Sequence, residues 1–521
     1  MKNIYATLIL VLFLNLLYAQ PVIQWQNTIG GSDQDDLRAI QQTTDAGYIL
    51  GGTSVSNISG DKTENSQGGP DYWVVKLDST GVIQWQNTIG GNNSDDFFSI
   101  DQTADGGYIL GGYSQSDSSG DKTENGIGEE DCWVIKLDSA GNIQWENTIG
   151  GTLEDELLTL KHTADKGYIL GCSSYSNISG DKTENSLGNW DYWIIKLDSA
   201  GNITWQNTIG GSMEEHVYSI QQTSDSGYIV GGASTSSISG DKTENCQGNF
   251  DYWIVKLDTT GNIQWQNTIG GSNLDKLYSM QQTNDGGYIL GGNSNSNISG
   301  DKTENSQGGN DYWAIKLDST GNIQWQNTIG GSGDDNLYSV KQTSDGGYFL
   351  GGYSNSSISG DKTENCIGTW DYWIVKLDST GIIQWQNTIG GNIEDNLQSV
   401  QQTIDNGYIL GGFSNSDISG DKTENSQGGD DYWIIKLYPD SITGISNLQI
   451  SNSNYNISPN PTSSILNLFL KERVDIIITN TLGEIVLQKK EKGKVKLDVS
   501  FLAAGIYFIR AGNEVRKFMK E

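Results

Sequence analysis

Ile23-Gln24-Trp25-Gln26-Asn27-Thr28-Ile29-Gly30-Gly31 is the stretch on which the fold turns. The pattern Ile-x-Trp-x-Asn-Thr-Ile-Gly-Gly starts again at Ile83, Ile143, Ile203, Ile263, Ile323 and Ile383, a spacing of 60 residues each time without insertion or deletion. A fixed period of that length marks a repeat architecture, in which each unit buries its apolar face against the next. Two Trp per unit, the Trp25 and Trp73 series, account for fourteen of the 16 Trp and are predicted to form core between units.

Working outward from that phrase, one unit reads as four strands. Leu37 to Thr43 is a short strand, followed by the turn Thr44-Asp45-Ala46-Gly47 and a second strand from Tyr48 to Ser54. Later copies carry Asp105-Gly106-Gly107 or Asp285-Gly286-Gly287 at the turn, a hairpin signal because Gly tolerates positive φ. A polar loop from Val55 to Pro70 contains Ser59-Gly60-Asp61-Lys62-Thr63-Glu64-Asn65. Asp71 to Leu77 is the third strand, Asp78 to Gly81 a second turn, and Val82 to Ile89 the fourth strand. No segment of the unit has helical periodicity.

Four antiparallel strands repeated radially make an all-β propeller. The array opens at Ile23 with a lone fourth-type strand and ends at Tyr432 to Leu437 with a third-type strand. After Leu437 the turn Asp is replaced by Tyr438 and Pro439, and no Trp strand follows. The offset suits a closed ring of seven blades, with the N-terminal strand pairing as the outer strand of the last blade. An open solenoid would gain nothing from it and would need capping repeats. The order of a Gly-Gly strand (Gly51-Gly52), an aromatic strand and a Trp strand resembles the kelch type of blade, with a longer unit. The paired Gly are expected to give room near a crowded axis.

The chain has 521 residues and 64 Asp+Glu against 31 Lys+Arg, a formal net charge of −33. That balance excludes a nucleic-acid binder, which needs cationic surface to displace counterions from phosphates. Lys2, then the apolar run Leu8 to Leu17, then Tyr18-Ala19-Gln20 have the layout of a signal peptide over residues 1–20. The run is too short to span a bilayer, and no other segment approaches that length, so no transmembrane helix is expected. Export permits disulfides. However, Cys132 stands where sister units have Tyr, Cys172 where they have Gly, and Cys246 and Cys366 where five units have Ser or Gly. These read as scattered replacements and four free thiols are expected.

The propeller is assigned to residues 21–438 and a linker to 439–455. From Thr443 onward there are 11 Lys+Arg against 7 Asp+Glu, leaving 20 against 57 for the remainder. Alternating segments at Ile465 to Leu470, Val474 to Asn480, Glu484 to Lys489, Lys494 to Val499, Gly505 to Arg510 and Glu514 to Met519 predict a small antiparallel β-sandwich. Ile457-Ser458-Pro459-Asn460-Pro461-Thr462, then Leu482-Gly483-Glu484, Leu497-Asp498-Val499, Ala504-Gly505-Ile506-Tyr507-Phe508 and Val515-Arg516-Lys517-Phe518 occur in order. Residues 456–521 thereby resemble the type A C-terminal sorting domain of the type IX secretion system of Bacteroidota. The resemblance implies the type IX machinery as a partner, passage across the outer membrane, and release or surface attachment. Pro459, Asn460, Pro461, Gly483, Gly505, Tyr507 and Lys517 carry the motif.

Strand alternation places both long loops of every blade on one rim, the expected working face. An acid recurs there in the first loop: Asp35, Asp95, Asp155, Glu215, Asp275, Asp335 and Asp395. The second loop keeps Asp61, Glu64 and Asn65 in every copy. Oxygen-rich loops suit Ca2+, although the spacing is not that of an EF-hand. The other reading has Asp61 and Asn65 hydrogen-bonding loop backbone and Glu64 pairing with Lys62 or a neighbouring blade. Just before the third strand stand Pro70, Glu130, Trp190, Phe250, Asn310, Trp370 and Asp430. The three aromatics Trp190, Phe250 and Trp370 could stack on sugar rings or on a partner. His162 and His216 are isolated, and no Ser-His-Asp set, metal-ligand His cluster or phosphate loop is present. The predicted activity is multivalent binding of glycan or protein during adhesion rather than catalysis. The alternative is a polysaccharide hydrolase using carboxylates on the acidic rim.

Overall fold

The computed structural model describes residues 18–442, 457–458, 462–480, 485–511 and 514–520. These fall into two compact units, one up to residue 444 and one from residue 445. Of the predicted signal peptide, residues 1–17 lie outside the described residues, while Tyr18–Ala19 pairs with Ser441–Ile442. Most of the predicted linker, from residue 443 onward, also lies outside them.

The first unit is seven four-stranded antiparallel sheets. The first blade is Asp35–Gln42, Tyr48–Ser54, Asp71–Leu77 and Ile83–Ile89, in that spatial order. The seventh is Asp395–Gln402, Tyr408–Ser414, Asp431–Leu437 and, as its fourth strand, Ile23–Ile29 from the other end of the unit. Trp25 stands opposite Lys436 and Ile29 opposite Tyr432. The first strand of each blade lies against that of the next, and the seventh against the first, so the ring closes.

The repeated residues fasten blade to blade. Each third strand is buried along its whole length. Tyr72 Oη donates to the Trp133 carbonyl of the next blade at 3.2 Å, and Tyr432 Oη closes the circle onto Trp73 O at 2.9 Å. Asn27 Nδ2 reaches Gly81 O of the next blade at 2.5 Å, and Gly81 itself has φ +89 and lies flat on Trp25, a place no side chain can occupy. The predicted Gly pair is required for a different reason than the axis. A Cβ on Gly51 would enter the Phe97 ring of the second blade, and one on Gly112 would meet Asp96 O at 1.9 Å and Tyr72 Oη at 2.5 Å. The crowding comes from the neighbouring blade and, at Gly112, also from the first strand of its own blade.

Two further differences from the sequence reading matter. The first strand begins at Asp35, two residues early, because Asp35 N donates to Asp430 O of the preceding blade at 2.6 Å. Every first strand also carries a bulge, in the first blade between Leu37 and Ala39. The bulge interrupts the two-residue alternation and leaves position 38 unpaired.

The second unit has five strands in one hydrogen-bonded sheet: Ile457–Ser458, Ile465–Thr479, Ile485–Asp498, Gly505–Ala511 and Glu514–Lys520. Four of the predicted short segments are two long strands. Lys471-Glu472-Arg473 breaks the apolar alternation without ending the strand, and the register shifts between Leu470 and Val474 instead. Leu466, Leu468, Ile476, Ile478, Leu497, Ile509 and Phe518 form one core. Tyr507 stacks on Phe518 with centroids 5.7 Å apart and its Oη donates to Ala503 O at 3.1 Å. Of the sorting-motif residues, Pro459, Asn460, Pro461 and Gly483 lie outside the described residues.

Candidate functional site

Both long loops of a blade do share one rim, but the repeated acid of the first loop faces inward, while in the second Asp61 is partly buried and Glu64 and Asn65 are exposed. Asp35 is fully buried, with Oδ2 accepting from Gly31 N at 2.6 Å and Ser56 Oγ at 3.0 Å. Asp95, Asp155, Glu215, Asp275, Asp335 and Asp395 are buried in the same way. This corrects the expectation that the acidic series contacts a ligand: these carboxylates knot the two loops together. Burial pushes Asp35 up, against hydrogen bonds from Ser54, Gly31 and Ser56.

The Ser59 to Asn65 loop is likewise used up. Glu64 accepts from Thr88 N at 2.7 Å rather than pairing with Lys62, and Asn65 Oδ1 accepts from Ile58 N at 3.0 Å. Asp61 accepts from Gly30 N at 3.3 Å and from Gln427 Nε2. Lys62 is buried, donates to Thr88 Oγ1 at 2.8 Å and lies 5.1 Å from the centre of the Trp73 ring. Burial pushes Lys62 down to about 8. Among the described residues no three His, Cys, Asp or Glu stand together as a metal site. Of the oxygens suggested for Ca2+, Asp61 Oδ2, Glu64 Oε2 and Asn65 Oδ1 already accept backbone or side-chain N–H.

The blades differ from one another around the axis. Position 36 of the first strand reads Asp36, Asp96, Glu156, His216, Lys276, Asn336, Asn396, and position 38 reads Arg38, Phe98, Leu158, Tyr218, Tyr278, Tyr338, Gln398. The bulge brings position 38 into the channel, where six of its seven side chains line the axial cavity. Tyr218, Tyr278 and Tyr338 touch in series, with centroids 5.0 and 4.9 Å apart. Tyr338 continues to Tyr353 at 5.4 Å, with the two Oη atoms 3.2 Å apart, and Tyr353 meets Trp370 at 5.2 Å. At the other end Tyr218 faces His216 at 6.5 Å, His216 faces Trp190 at 5.6 Å, and Trp190 faces Tyr175 at 5.7 Å. Phe250 joins at His216, 6.2 Å away, with Lys276 Nζ 4.4 Å from its ring centre. The three predicted aromatics therefore belong to one arc: Trp190 and Phe250 share His216, and Trp370 stands at the far end.

Carboxylates occupy the remaining sector. Burial pushes Asp96 up to about 6, with Arg38 opposing and Glu130 adding to it. Glu156 is pushed up to about 7 by burial and then by Glu130, Glu154 and Asp96. Asp430 is pushed up to about 6 by burial and then by Asp36 and Glu394. Arg38 lies 5.7 Å from the Phe98 ring centre. Across the mouth, burial and Lys276 push His216 down to about 4, so it is neutral at pH 7.

On the tight-turn side of this belt is a cavity of about 760 Å³. Position 41 governs its wall. Gln41 Oε1 accepts from Gln102 N at 2.8 Å, and Gln221, Gln281 and Gln401 repeat that bond onto the next blade at 3.0, 2.7 and 2.8 Å. Asp101 makes the same bond to His162 N at 3.0 Å, pairs with the His162 ring, and lies 3.6 Å from Lys161 Nζ. Lys341, in the sixth blade, has no side-chain acceptor to offer.

Reading the sequence one motif at a time missed Tyr218, Tyr278, Tyr338, Asp96 and Glu156. Their signal is in the columns of the seven aligned units. Positions 34, 36, 38, 53, 55 and 70 vary while most others repeat, and the position before the third strand is one of that set.

Residues 456–521 match the secretion system C-terminal sorting domain. The chain is also similar to the regulatory protein FlaEY of Caulobacter vibrioides, 22% identical over 419 residues, which covers 70% of this chain and 41% of that protein. Among solved structures it is similar to PorZ of Porphyromonas gingivalis, an essential surface component of the type IX secretion system, at 10% identity and TM-score 0.42, covering 96% of this chain and 61% of that one. It is similar as well to the Neurospora crassa Pan2 WD40 domain, at 10% identity and TM-score 0.41, covering 80% and 96%. The chain thus spans less than two thirds of FlaEY and of PorZ. The sorting domain implies export to the cell surface or secretion.

Proposed function

We propose that this exported ring, carried to the outside by its sorting domain after signal-peptide-dependent entry into the export pathway, binds a neutral glycan at one asymmetric site, the axial mouth on the long-loop rim. The observation that carries this reading is the aromatic arc from Tyr175 to Trp370 facing the Asp96 and Glu156 sector. A sugar ring offers an apolar C–H face to an aromatic and hydroxyls to carboxylates and amides, and concave sites with aromatic walls and a few polar groups are the usual form of ligand pocket. Asn336, which accepts from Asn293 Nδ2 at 2.9 Å and Asn310 Nδ2 at 3.2 Å, adds amides at the same mouth. The net charge of −33 disfavours a polyanionic ligand.

The seven loops are then scaffold, and the expected stoichiometry is one glycan per ring instead of seven weak sites. The test is a panel of neutral oligosaccharides followed by calorimetry on the best binder. Tyr278→Ala and Trp190→Ala should each weaken binding about tenfold, for roughly 1–1.5 kcal/mol of ring contact, while Asp33→Asn on the outer loop should not. Binding indifferent to both aromatic substitutions, or a stoichiometry near seven, would sink the single-mouth reading. Capture of a surface protein at the same residues would replace glycan with protein as the ligand.

One observation favours the hydrolase alternative. Glu156, raised to about 7, is in the range of a general acid at neutral pH. Release of reducing ends from the bound oligosaccharide, abolished in Glu156→Gln, would support it, whereas intact ligand after prolonged incubation would exclude it.

A further inference from the structure

The four Cys do not stand alone. Cys132 lies in the third strand of the second blade and Cys172 in the second strand of the third, and their Sγ atoms are 2.9 Å apart in the fully buried seam between the blades. By sequence six of the seven seams set a Tyr of one blade against the second Gly of the next, and at Gly52, Gly112, Gly232, Gly292 and Gly412 the Tyr Oη lies over that Gly. The seam between the second and third blades has both replaced. Cys132 stands where the others have Tyr, and Cys172 where they have that Gly. Losing the ring opens a hole, and adding a side chain opposite fills it, so the two changes compensate at one contact. Cys132 Sγ also lies 3.4 Å from Asp155 O, in the strand that carries Glu156 to the mouth.

We propose that Cys132 and Cys172 form a disulfide in the exported protein, stapling the second blade to the third. Two thiols give one S–S bond, two protons and two electrons. The electrons pass to a disulfide oxidant of the export compartment, a thiol–disulfide oxidoreductase or a small-molecule disulfide, which leaves as its dithiol. Closing the bond needs the sulfurs to approach by about 0.9 Å, toward the ~2.05 Å of a disulfide. The Cys132 thiol is pushed well up by burial, so the closed ring offers little thiolate, and exchange precedes docking of the two blades.

Cys246 and Cys366 provide an internal control. Their Sγ atoms lie 3.3 Å from Ser234 O and 3.4 Å from Ser354 O, the place taken by Ser306 Oγ on Ser294 O at 3.0 Å. They substitute for Ser and stay reduced.

The test uses the full chain, collected from the medium or cell surface without reductant, denatured in excess alkylating reagent and mapped by mass spectrometry. Labelling of Cys246 and Cys366 alone, with a cross-linked pair of peptides about 2 Da below the sum of their reduced masses, is the expected result. Labelling of all four Cys, or a Cys246–Cys366 link, overturns it. The double variant Cys132→Tyr/Cys172→Gly restores the pair found in the other seams and should fold. Its urea midpoint should be the same with and without reductant during refolding, while that of the parent should drop when refolded in reductant. An equal midpoint for the parent under both conditions would also overturn the proposal.

Discussion

Removing residues 21–31 tests the closure of the ring directly. Without Ile23–Ile29 the strand Asp431–Leu437, buried along its length, becomes a sheet edge. Burial of Ile23, Trp25 and Ile29 is worth roughly 5 kcal/mol, given that two of the three are only partly buried. Side-chain bonds go as well, among them these four: Gln26 Nε2 to Asp421 O at 2.7 Å, Trp433 Nε1 to Gln26 Oε1 at 3.0 Å, Thr28 N to Glu424 at 2.6 Å and Asn27 Nδ2 to Gly81 O at 2.5 Å. At about 1 kcal/mol each they contribute ~4 kcal/mol, and the ladder a further ~6 kcal/mol. Ordering seven residues costs about 10 kcal/mol, which leaves a net loss of ~5 kcal/mol. That is a large fraction of the ~5–15 kcal/mol typical of a folded domain, and corresponds, for a unit of this size, to a fall in Tm of about 6 °C. The assay is thermal unfolding with light scattering on the truncated chain, which should also self-associate through its open edge. A synthetic peptide of residues 21–32 added in trans should restore the midpoint. A monomeric truncated ring within about 2 °C of the parent would refute the closure argument.

Stability should rise on mild acidification. Asp71, Asp191, Asp251, Asp311, Asp395 and Asp431 are pushed up to about 6, first of all by burial. The folded chain holds those protons more tightly than the unfolded chain, so stability increases as pH falls from about 7 toward 4. At ~1.4 kcal/mol per pKa unit, one such group suffices to raise Tm by roughly 1–2 °C between pH 7 and 5. Asp45 acts oppositely. Hydrogen bonds from Thr43 and Lys76 overcome its burial and hold it at about 2, so its contribution is present above pH ~4 and lost below. A Tm that is flat or falls between pH 7 and 5 would contradict this. Lys341→Gln supplies the acceptor that Gln41, Gln221, Gln281 and Gln401 already provide in their own blades, and removes an ammonium that burial pushes down to about 8. A gain of about 0.5–1.5 kcal/mol is expected by urea titration. A chelator should shift Tm by less than about 1 °C, because Asp61 Oδ2, Glu64 Oε2 and Asn65 Oδ1 already accept N–H groups of the fold; a larger fall would return Ca2+ to those loops.

Much of the fold was legible because the repeat states it seven times. The 60-residue spacing of the Trp25 phrase gives the strand order of each unit, and the orphan strand at Ile23 together with the missing one after Leu437 already favoured a ring. The sorting domain was legible from ordered motifs around Ile457 and Gly505. The site was not. Repetition draws the eye to Asp35, Asp61 and Glu64, yet these residues, kept in every blade, hydrogen-bond the loops and strands around them, and the Asp35 series is fully buried. Tyr278 or Glu156 looks like noise in its own unit. Only closure of the ring, with a bulge turning position 38 toward the axis, brings the differing residues of separate blades around one axial cavity. The pairing of Cys132 with Cys172 is of the same kind. Forty positions apart in the chain, they meet because blade contact, a property of the tertiary structure, sets a Tyr position of one unit over a Gly position of the next.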